Sequence, residues 1–139
     1  MAIFVLDTDT LTLFEYGHTK VVATVAAHAQ DTVCISTVTI EEQISGWSAL
    51  ARSAKTPLQH EFASMLVLKL VRAWAGFWRV PFPTPAQLRF EQLRKSRLNV
   101  TGNDLRIAAI ALELGATVVT RNRRDFIRVP GVQIEDWSV

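Results

Sequence analysis

Short, almost uninterrupted runs of apolar β-forming residues recur along the chain and predict strands that are buried on both faces. Between them, apolar residues return every three or four positions, which is the spacing of amphipathic helices. Strands are predicted at residues 3–6, 33–35, 117–120 and 132–135, and helices at 21–28, 39–52, 58–78, 85–98 and 104–114. Because alternating strands and helices connect by right-handed crossovers, the pattern predicts an α/β fold with a central parallel sheet flanked by helices.

The longest predicted helix, 58–78, has one strongly apolar face. Its members are Leu66, Val67, Leu70, Val71, Trp74, Phe77 and Trp78. The part of the face through Leu70, Trp74 and Trp78 is larger than a lone helix requires. We therefore expect these residues to pack in the core, or against a protein partner or a second copy of the chain.

Length and composition are those of one globular domain, and residues 1–139 are assigned to a single domain. Of the 139 residues, 49% are hydrophobic and 20% are charged. Lys69 and Arg72 interrupt the most apolar stretch, and no basic leader precedes the first strand, so we expect a cytoplasmic protein without a membrane segment. The net charge of +2 allows nucleic-acid binding without requiring it.

Acidic or amide residues follow the predicted strands at several points. Asp7 comes directly after the first strand, Glu42 lies one helical turn beyond the second, and Asp104 begins the helix at 104–114. Asn122 and Asp125 follow the strand at 117–120. Ligands of open α/β sheets bind beyond the carboxyl ends of the strands, so we expect these side chains to converge there.

Several carboxylates in one crevice would repel one another and take up protons unless a cation neutralised them. Oxygen ligands without cysteine or histidine favour Mg²⁺ or Mn²⁺ over zinc, and such a site suits phosphodiester hydrolysis. Each residue taken alone also has a simpler interpretation. Asp7 or Asp104 could be a helix N-cap, and Glu42 a solvated helix residue.

The segments around these acids resemble the PIN-domain nuclease family, and within it the VapC toxins. In chain order they resemble the family's opening strand and acidic turn, its glutamate-bearing helix, and the segments of its third and fourth acidic sites. The closing segment resembles the tail of the VapC branch that cleaves initiator tRNA. The five segments are residues 4–9, 35–46, 103–109, 120–126 and 129–137. The likeness thus runs from end to end, although residues 51–97 add only compatible helices.

The resemblance implies a PIN-like domain and a metal-dependent endoribonuclease toxin. Asp7 and Asp104 would be the main metal ligands, Glu42 a ligand or a base for water, and Asp125 or Asn122 the fourth group. The expected substrate is single-stranded loop RNA, with the anticodon region of initiator tRNA as the leading candidate. A VapB-type antitoxin would hold the toxin inactive in a hetero-oligomer, and the toxin itself could form a homodimer.

Two positions depart from the family pattern. Asp9 stands where the family usually has asparagine, which adds a charge near the metal and leaves its role open. Asn122 stands where the fourth site is often acidic, so Asp125, three residues on, is an alternative source of that charge.

Basic residues surround the third and fourth acidic sites, where they could contact RNA phosphates. The RNA-binding candidates are Arg106, Arg121, Arg123 and Arg124. The alternative is an ordinary solvated basic face on these helices.

Other functions remain to be weighed against the nuclease. A haloacid-dehalogenase-like phosphatase would use Asp7 and Asp9 as nucleophile and acid, but Asp104 has neither an acidic neighbour nor a nearby lysine, and a receiver domain fails similarly. The scattered histidines offer no nucleophile or ligand pattern. A catalytically inactive PIN-fold interaction module is the third possibility, although the joint presence of Asp7, Glu42 and Asp104 argues against it.

Overall fold

The structure is a computed structural model that describes residues 1–139. The strands are β1 (Ile3–Leu6), β2 (Thr32–Ser36), β3 (Trp78–Val80), β4 (Thr117–Val119) and β5 (Gln133–Glu135). The helices are α1 (Thr8–Glu15), α2 (Thr19–Ala27), α3 (Thr37–Ser53), α4 (Pro57–Ala75), α5 (Thr84–Lys95), α6 (Gly102–Leu114) and α7 (Arg123–Phe126).

The five strands form one parallel sheet in the order β3-β2-β1-β4-β5. Strand β1 is central, with Phe4 beside Val33 of β2 on one side and beside Thr117 of β4 on the other. This confirms the predicted α/β class and the central parallel sheet. The strand order brings the carboxyl ends of β1, β2 and β4 to neighbouring positions at one edge of the sheet.

Two hydrophobic layers cover the sheet, because successive side chains of a strand point to opposite faces. Val5 packs in the layer formed with α5 and α6, whose residues 107–111 are almost completely buried. Phe4 and Leu6 pack in the other layer, with Leu11 of α1. The helices that carry the acidic residues are therefore anchored to both faces of the sheet.

The prediction of a helix at 58–78 was wrong at the carboxyl end. Helix α4 ends at Ala75, and Trp78 lies in the edge strand β3 with 69% of its surface exposed. Trp78 therefore does not continue the apolar face of the helix. Leu70 is buried, and the half-buried Trp74 donates its indole N–H to Gln43 Oε1 at 2.7 Å, so this part of the face packs inside the domain.

Other boundaries differ by small amounts, and two helices were not predicted. Helix α6 begins at Gly102 rather than at Asp104. The pattern analysis missed α1, which is rich in threonine, and α7, which is only four residues long. None of the helices is both long enough and apolar enough to span a bilayer.

Candidate active site

Asp7 is the first residue after β1 and is held on both carboxylate oxygens. Its Oδ1 accepts the backbone N–H of Thr10 at 2.9 Å, so Asp7 is the N-cap of α1. Its Oδ2 accepts the hydroxyl of Thr120, the residue after β4, at 2.6 Å. Burial raises the pKa of the Asp7 carboxyl, and these hydrogen bonds oppose the increase. The N-cap interpretation is therefore correct for Asp7, and the same carboxylate also faces the crevice described below.

Glu42 extends toward Asp7 from the second turn of α3. The hydroxyl of Thr8 donates to Glu42 Oε1 at 2.7 Å. The same hydroxyl lies 3.1 Å from the Thr39 hydroxyl on α3. Since Thr8 directly follows Asp7, this contact fixes the glutamate carboxylate relative to the end of β1.

Asp104 lies in the first turn of α6, whose N-cap is Thr101 rather than Asp104 itself. The simpler N-cap interpretation is therefore wrong for Asp104. Its pKa is raised to about 6, chiefly by burial and next by the negative charge of Asp7, while the hydrogen bond from Asn122 acts in the opposite direction. A carboxylate in this position gains from any cation that enters the site.

Asn122 connects the third and fourth acidic sites. Its amide nitrogen donates to Asp104 Oδ2 at 3.2 Å and to Asp125 Oδ2 at 2.9 Å. Asp125 also lies 3.5 Å from the guanidinium of Arg128. Asn122 thus contacts Asp104 directly, whereas Asp125 hydrogen-bonds to Asn122 and not to Asp104.

These elements enclose a crevice of about 220 Å³ without a single hydrophobic lining residue. It is lined by Asp7, Thr8, Asp9, Glu42, Thr101, Asp104 and Asn122. The structure therefore brings the three central acids together, with Asp9 and Asn122 beside them. Asp125 is not part of the wall.

The donor set of the crevice fits a hard divalent ion. Carboxylate, hydroxyl and amide oxygens line it, and no lysine, arginine, histidine or cysteine does. Although these acids line one crevice, no three His, Cys, Asp or Glu side chains are close enough to bind one ion between them, so the crevice is not a closed protein cage. Mg²⁺ commonly coordinates only one or two protein carboxylates and retains several water ligands. An open crevice of this kind can accommodate such a hydrated ion.

The arginine candidates lie in two kinds of surroundings. Arg121, Arg123 and Arg124 are exposed on and beside α7, next to the crevice. Arg106 is half-buried, with its guanidinium 4.6 Å from the centre of the Phe90 ring and 3.0 Å from Asn103 Oδ1. Arg106 is thus held inside the domain, while the other three are free to meet a polyanion.

Sequence reasoning missed the hydroxyl groups that orient the acids. Thr8 and Thr120 contact Glu42 and Asp7, and Thr101 lines the crevice. Thr120 directly follows β4, and Thr8 is the second residue after β1. Hydroxyl residues at strand exits were therefore the available signal.

A model of the PIN domain matches residues 4–132, almost the whole chain. The chain therefore belongs to the PIN-domain family, which confirms the predicted family and fold. Among curated proteins it is similar to the tRNA(fMet)-specific endonuclease VapC of Salmonella typhimurium strain LT2. The two are 35% identical over 106 residues, which cover 76% of this chain and 75% of the relative.

Solved structures show the same likeness. A chain in the crystal structure of DNA-bound VapBC from Salmonella typhimurium superposes with a TM-score of 0.76 at 28% identity, covering 99% of each chain. A chain of VapBC2 from Rickettsia felis, bound to a DNA fragment from its promoter, gives a TM-score of 0.76 at 23% identity, with 97% of this chain and 98% of that one covered. The second match supports the fold alone.

Proposed function

We propose that this protein is the toxin of a VapBC-type toxin–antitoxin pair, an endoribonuclease that requires a divalent ion and cuts tRNA. The observation that carries the proposal is the polar crevice in which Asp7, Glu42 and Asp104 face one space. Such a crevice repels a bare phosphate and attracts a cation, so a phosphodiester can bind there only together with a metal. The likeness to an endonuclease specific for tRNA(fMet) supports the substrate.

Each acidic residue has a role that follows from its contacts. Asp7 and Asp104 hold the ion, Mg²⁺ or Mn²⁺, and Asn122 keeps the Asp104 carboxylate in position. Glu42, fixed by Thr8, serves as a further ligand or accepts the proton of the attacking water. When bound, the ion would polarise the phosphodiester and stabilise the charge that develops on its oxygens.

The substrate is expected to present a flexible strand to the crevice. An A-form duplex holds its phosphates in a stiff geometry, whereas a loop can splay its backbone toward Asp7 and Asp104. The exposed Arg121, Arg123 and Arg124 are placed to contact flanking phosphates. The anticodon loop of initiator tRNA meets these requirements. A VapB-type antitoxin binds the toxin and holds it inactive.

The test is cleavage of initiator tRNA by the purified protein in Mg²⁺, with the new 5′ ends mapped by sequencing. We expect cuts in a single-stranded loop that disappear in EDTA and in the Asp7→Asn and Asp104→Asn variants. Asp31→Asn is the matched control. Asp31 precedes β2 at the opposite edge of the sheet, where its carboxylate accepts the backbone N–H of Ala2.

Cuts spread evenly through duplex regions, or cuts undiminished by EDTA, would contradict both the substrate and the metal requirement. Membership in the PIN-domain family leaves the phosphatase alternative without support, and hydrolysis of para-nitrophenyl phosphate tests it directly. A folded protein that binds a VapB-type antitoxin but never cleaves RNA would identify the inactive interaction module instead.

A further inference from the structure

Arg97 is held in a backbone conformation that arginine rarely adopts. It follows α5 and its C-cap Ser96, and its φ of 52° lies in the left-handed region. The first position beyond a helix in this conformation is usually glycine, because a side chain there is strained. Gly115 occupies the corresponding position at the end of α6, with a φ of 64°. At the end of α5 the chain keeps a large cationic side chain in spite of the strain.

The Arg97 side chain has no structural task that explains its presence. The residue is exposed, and its guanidinium makes no hydrogen bond, ion pair or aromatic contact within the protein. A basic side chain can offset the negative end of a helix dipole, but Arg94 and Lys95 already lie in the last turn of α5. The Arg97 guanidinium is therefore available to a ligand outside the domain.

The loop between α5 and α6, residues 96–101, is fixed beside the acidic crevice. Leu98 of this loop packs on the core, and the carbonyl of Asn99 accepts a hydrogen bond from Arg128 at 2.9 Å. Thr101, which lines the crevice, is four residues from Arg97, so their Cα atoms lie within about 14 Å of each other. An RNA strand bound at the crevice can therefore reach Arg97 within a few nucleotides.

Charge is distributed unevenly around the crevice. On the side of β2, α3 contributes Glu41 and Glu42. On the side of β4, the basic residues of α7 continue into those of the α5–α6 loop, and the contact between Arg128 and Asn99 joins the two segments. The exposed cations on this side are Lys95, Arg97, Arg121, Arg123 and Arg124. A polyanion is therefore attracted over α7 and the loop and repelled along α3.

We propose that Arg97 binds a backbone phosphate of the RNA a few nucleotides from the cut, so that the strand leaves the crevice over α7 and the α5–α6 loop. A phosphate contact of this kind holds the strand in register without reading its bases. The inference rests on the proposed nuclease function and adds a second anchor point for the RNA outside the crevice. Arg97 would bind substrate and take no part in the chemistry.

The experiment measures RNA binding by the full-length Asp7→Asn variant, which should not cleave its ligand. Fluorescence anisotropy gives the Kd for a labelled single-stranded RNA of about 16 nucleotides over a range of salt concentrations. Adding Arg97→Gly or Arg97→Gln should weaken binding about two- to fivefold. The magnitude of the slope of log Kd against log salt should fall by about 0.7, the value for one phosphate contact. Arg97→Lys should keep most of the slope.

Arg72→Gln is the matched control. Arg72 is an exposed arginine in the last turn of α4, at the edge of the sheet where β3 begins, opposite the crevice. Its removal should leave the affinity and the slope unchanged. An equal effect of Arg72→Gln, or an unchanged slope in both Arg97 variants, would overturn the inference. The nuclease proposal would stand in either case if the wild-type protein cleaves RNA.

The length of the RNA separates a direct contact from damage to the fold. RNAs that fill only the crevice cannot reach Arg97, so Arg97→Gly should bind them as tightly as the Asp7→Asn parent and lose affinity only for longer RNAs. A deficit at every length would make Arg97 structural and overturn the inference. In urea unfolding Arg97→Gly should be no less stable than its parent, because glycine relieves the left-handed strain. A marked loss of stability would contradict the inference too.

Two further outcomes distinguish the inference from its alternatives. If Arg97→Gly leaves RNA binding unchanged but weakens the complex with a VapB-type antitoxin, the loop is a protein contact and the inference is wrong. If the wild-type protein cleaves no RNA, the proposed function fails, and the role of Arg97 in substrate binding fails with it.

Discussion

The Thr8 hydroxyl donates to Glu42 Oε1 at 2.7 Å, which joins the second residue after the central strand to a glutamate 34 positions further along the chain. The two side chains belong to α1 and α3, and no other hydrogen bond holds the Glu42 carboxylate. Its position in the crevice therefore depends on one hydroxyl group of another helix.

We predict that Thr8→Val lowers RNA cleavage by about 10- to 100-fold, the usual effect of removing a group that orients a metal-site residue. Valine preserves the shape of threonine and removes only the hydroxyl. Thr8→Ser should restore most of the activity, because it returns the donor. Rates measured over a Mg²⁺ titration would check this, and a wild-type rate in Thr8→Val would contradict it.

The raised pKa of Asp104 predicts a pH-dependent metal requirement. In the metal-free protein this pKa is about 6, so below that value a proton must leave before the carboxylate can bind a cation. The Mg²⁺ concentration for half-maximal cleavage should fall as pH rises from about 5, most steeply below about 6, and should level off by about pH 7.5. A Mg²⁺ requirement that stays constant over this range would contradict the role of Asp104.

Glu15 offers a test of stability that is independent of the crevice. Its Oε1 accepts from Gln43 at 2.7 Å, but its Oε2 is buried without a hydrogen-bond partner. Burial raises the pKa of Glu15 to about 7, although the hydrogen bond from Gln43 and the charge of Lys69 oppose the increase. The folded state thus binds the proton more tightly than the unfolded state, whose pKa is near 4.5.

This contribution of Glu15 to stability is present below pH 4.5 and is lost as pH rises through about 7. We predict that Glu15→Gln becomes more stable relative to the wild type as pH increases over this interval. Urea unfolding of both proteins at about pH 5 and about pH 8 measures the difference. A stability difference that is the same at both pH values would refute the prediction.

Asn122 and Asp125 compete for the role of the fourth site group. Because Asn122 contacts Asp104 and Asp125 does not, we predict that Asn122→Ala reduces cleavage more than Asp125→Ala, by about tenfold or more. Circular dichroism would establish that both variants remain folded. The opposite order of effects would assign the role to Asp125 and make Asn122 its support.

Much of the framework was determined by the sequence itself. The runs at 3–6, 33–35 and 117–120 are short, apolar and nearly uninterrupted, and only strands buried on both faces tolerate that composition. Acids placed directly after such strands must meet when the strands are parallel, because the carboxyl ends share one edge. The convergence of Asp7 and Asn122 followed from these local facts, whereas Asp104 follows α5 rather than a strand and reaches the crevice through the packing of α6.

Only the tertiary structure decided how the acids are held and which neighbours they have. The hydroxyl that fixes Asp7 belongs to Thr120, 113 positions away, and nothing local to either residue marks the pair. Trp78 is a second example. Its position continues the apolar helical pattern in the sequence, but in the structure it pairs with β2 and belongs to an edge strand. Periodicity reports which residues are apolar, whereas hydrogen-bond partners and strand pairing depend on segments that are distant in the chain and meet only after folding.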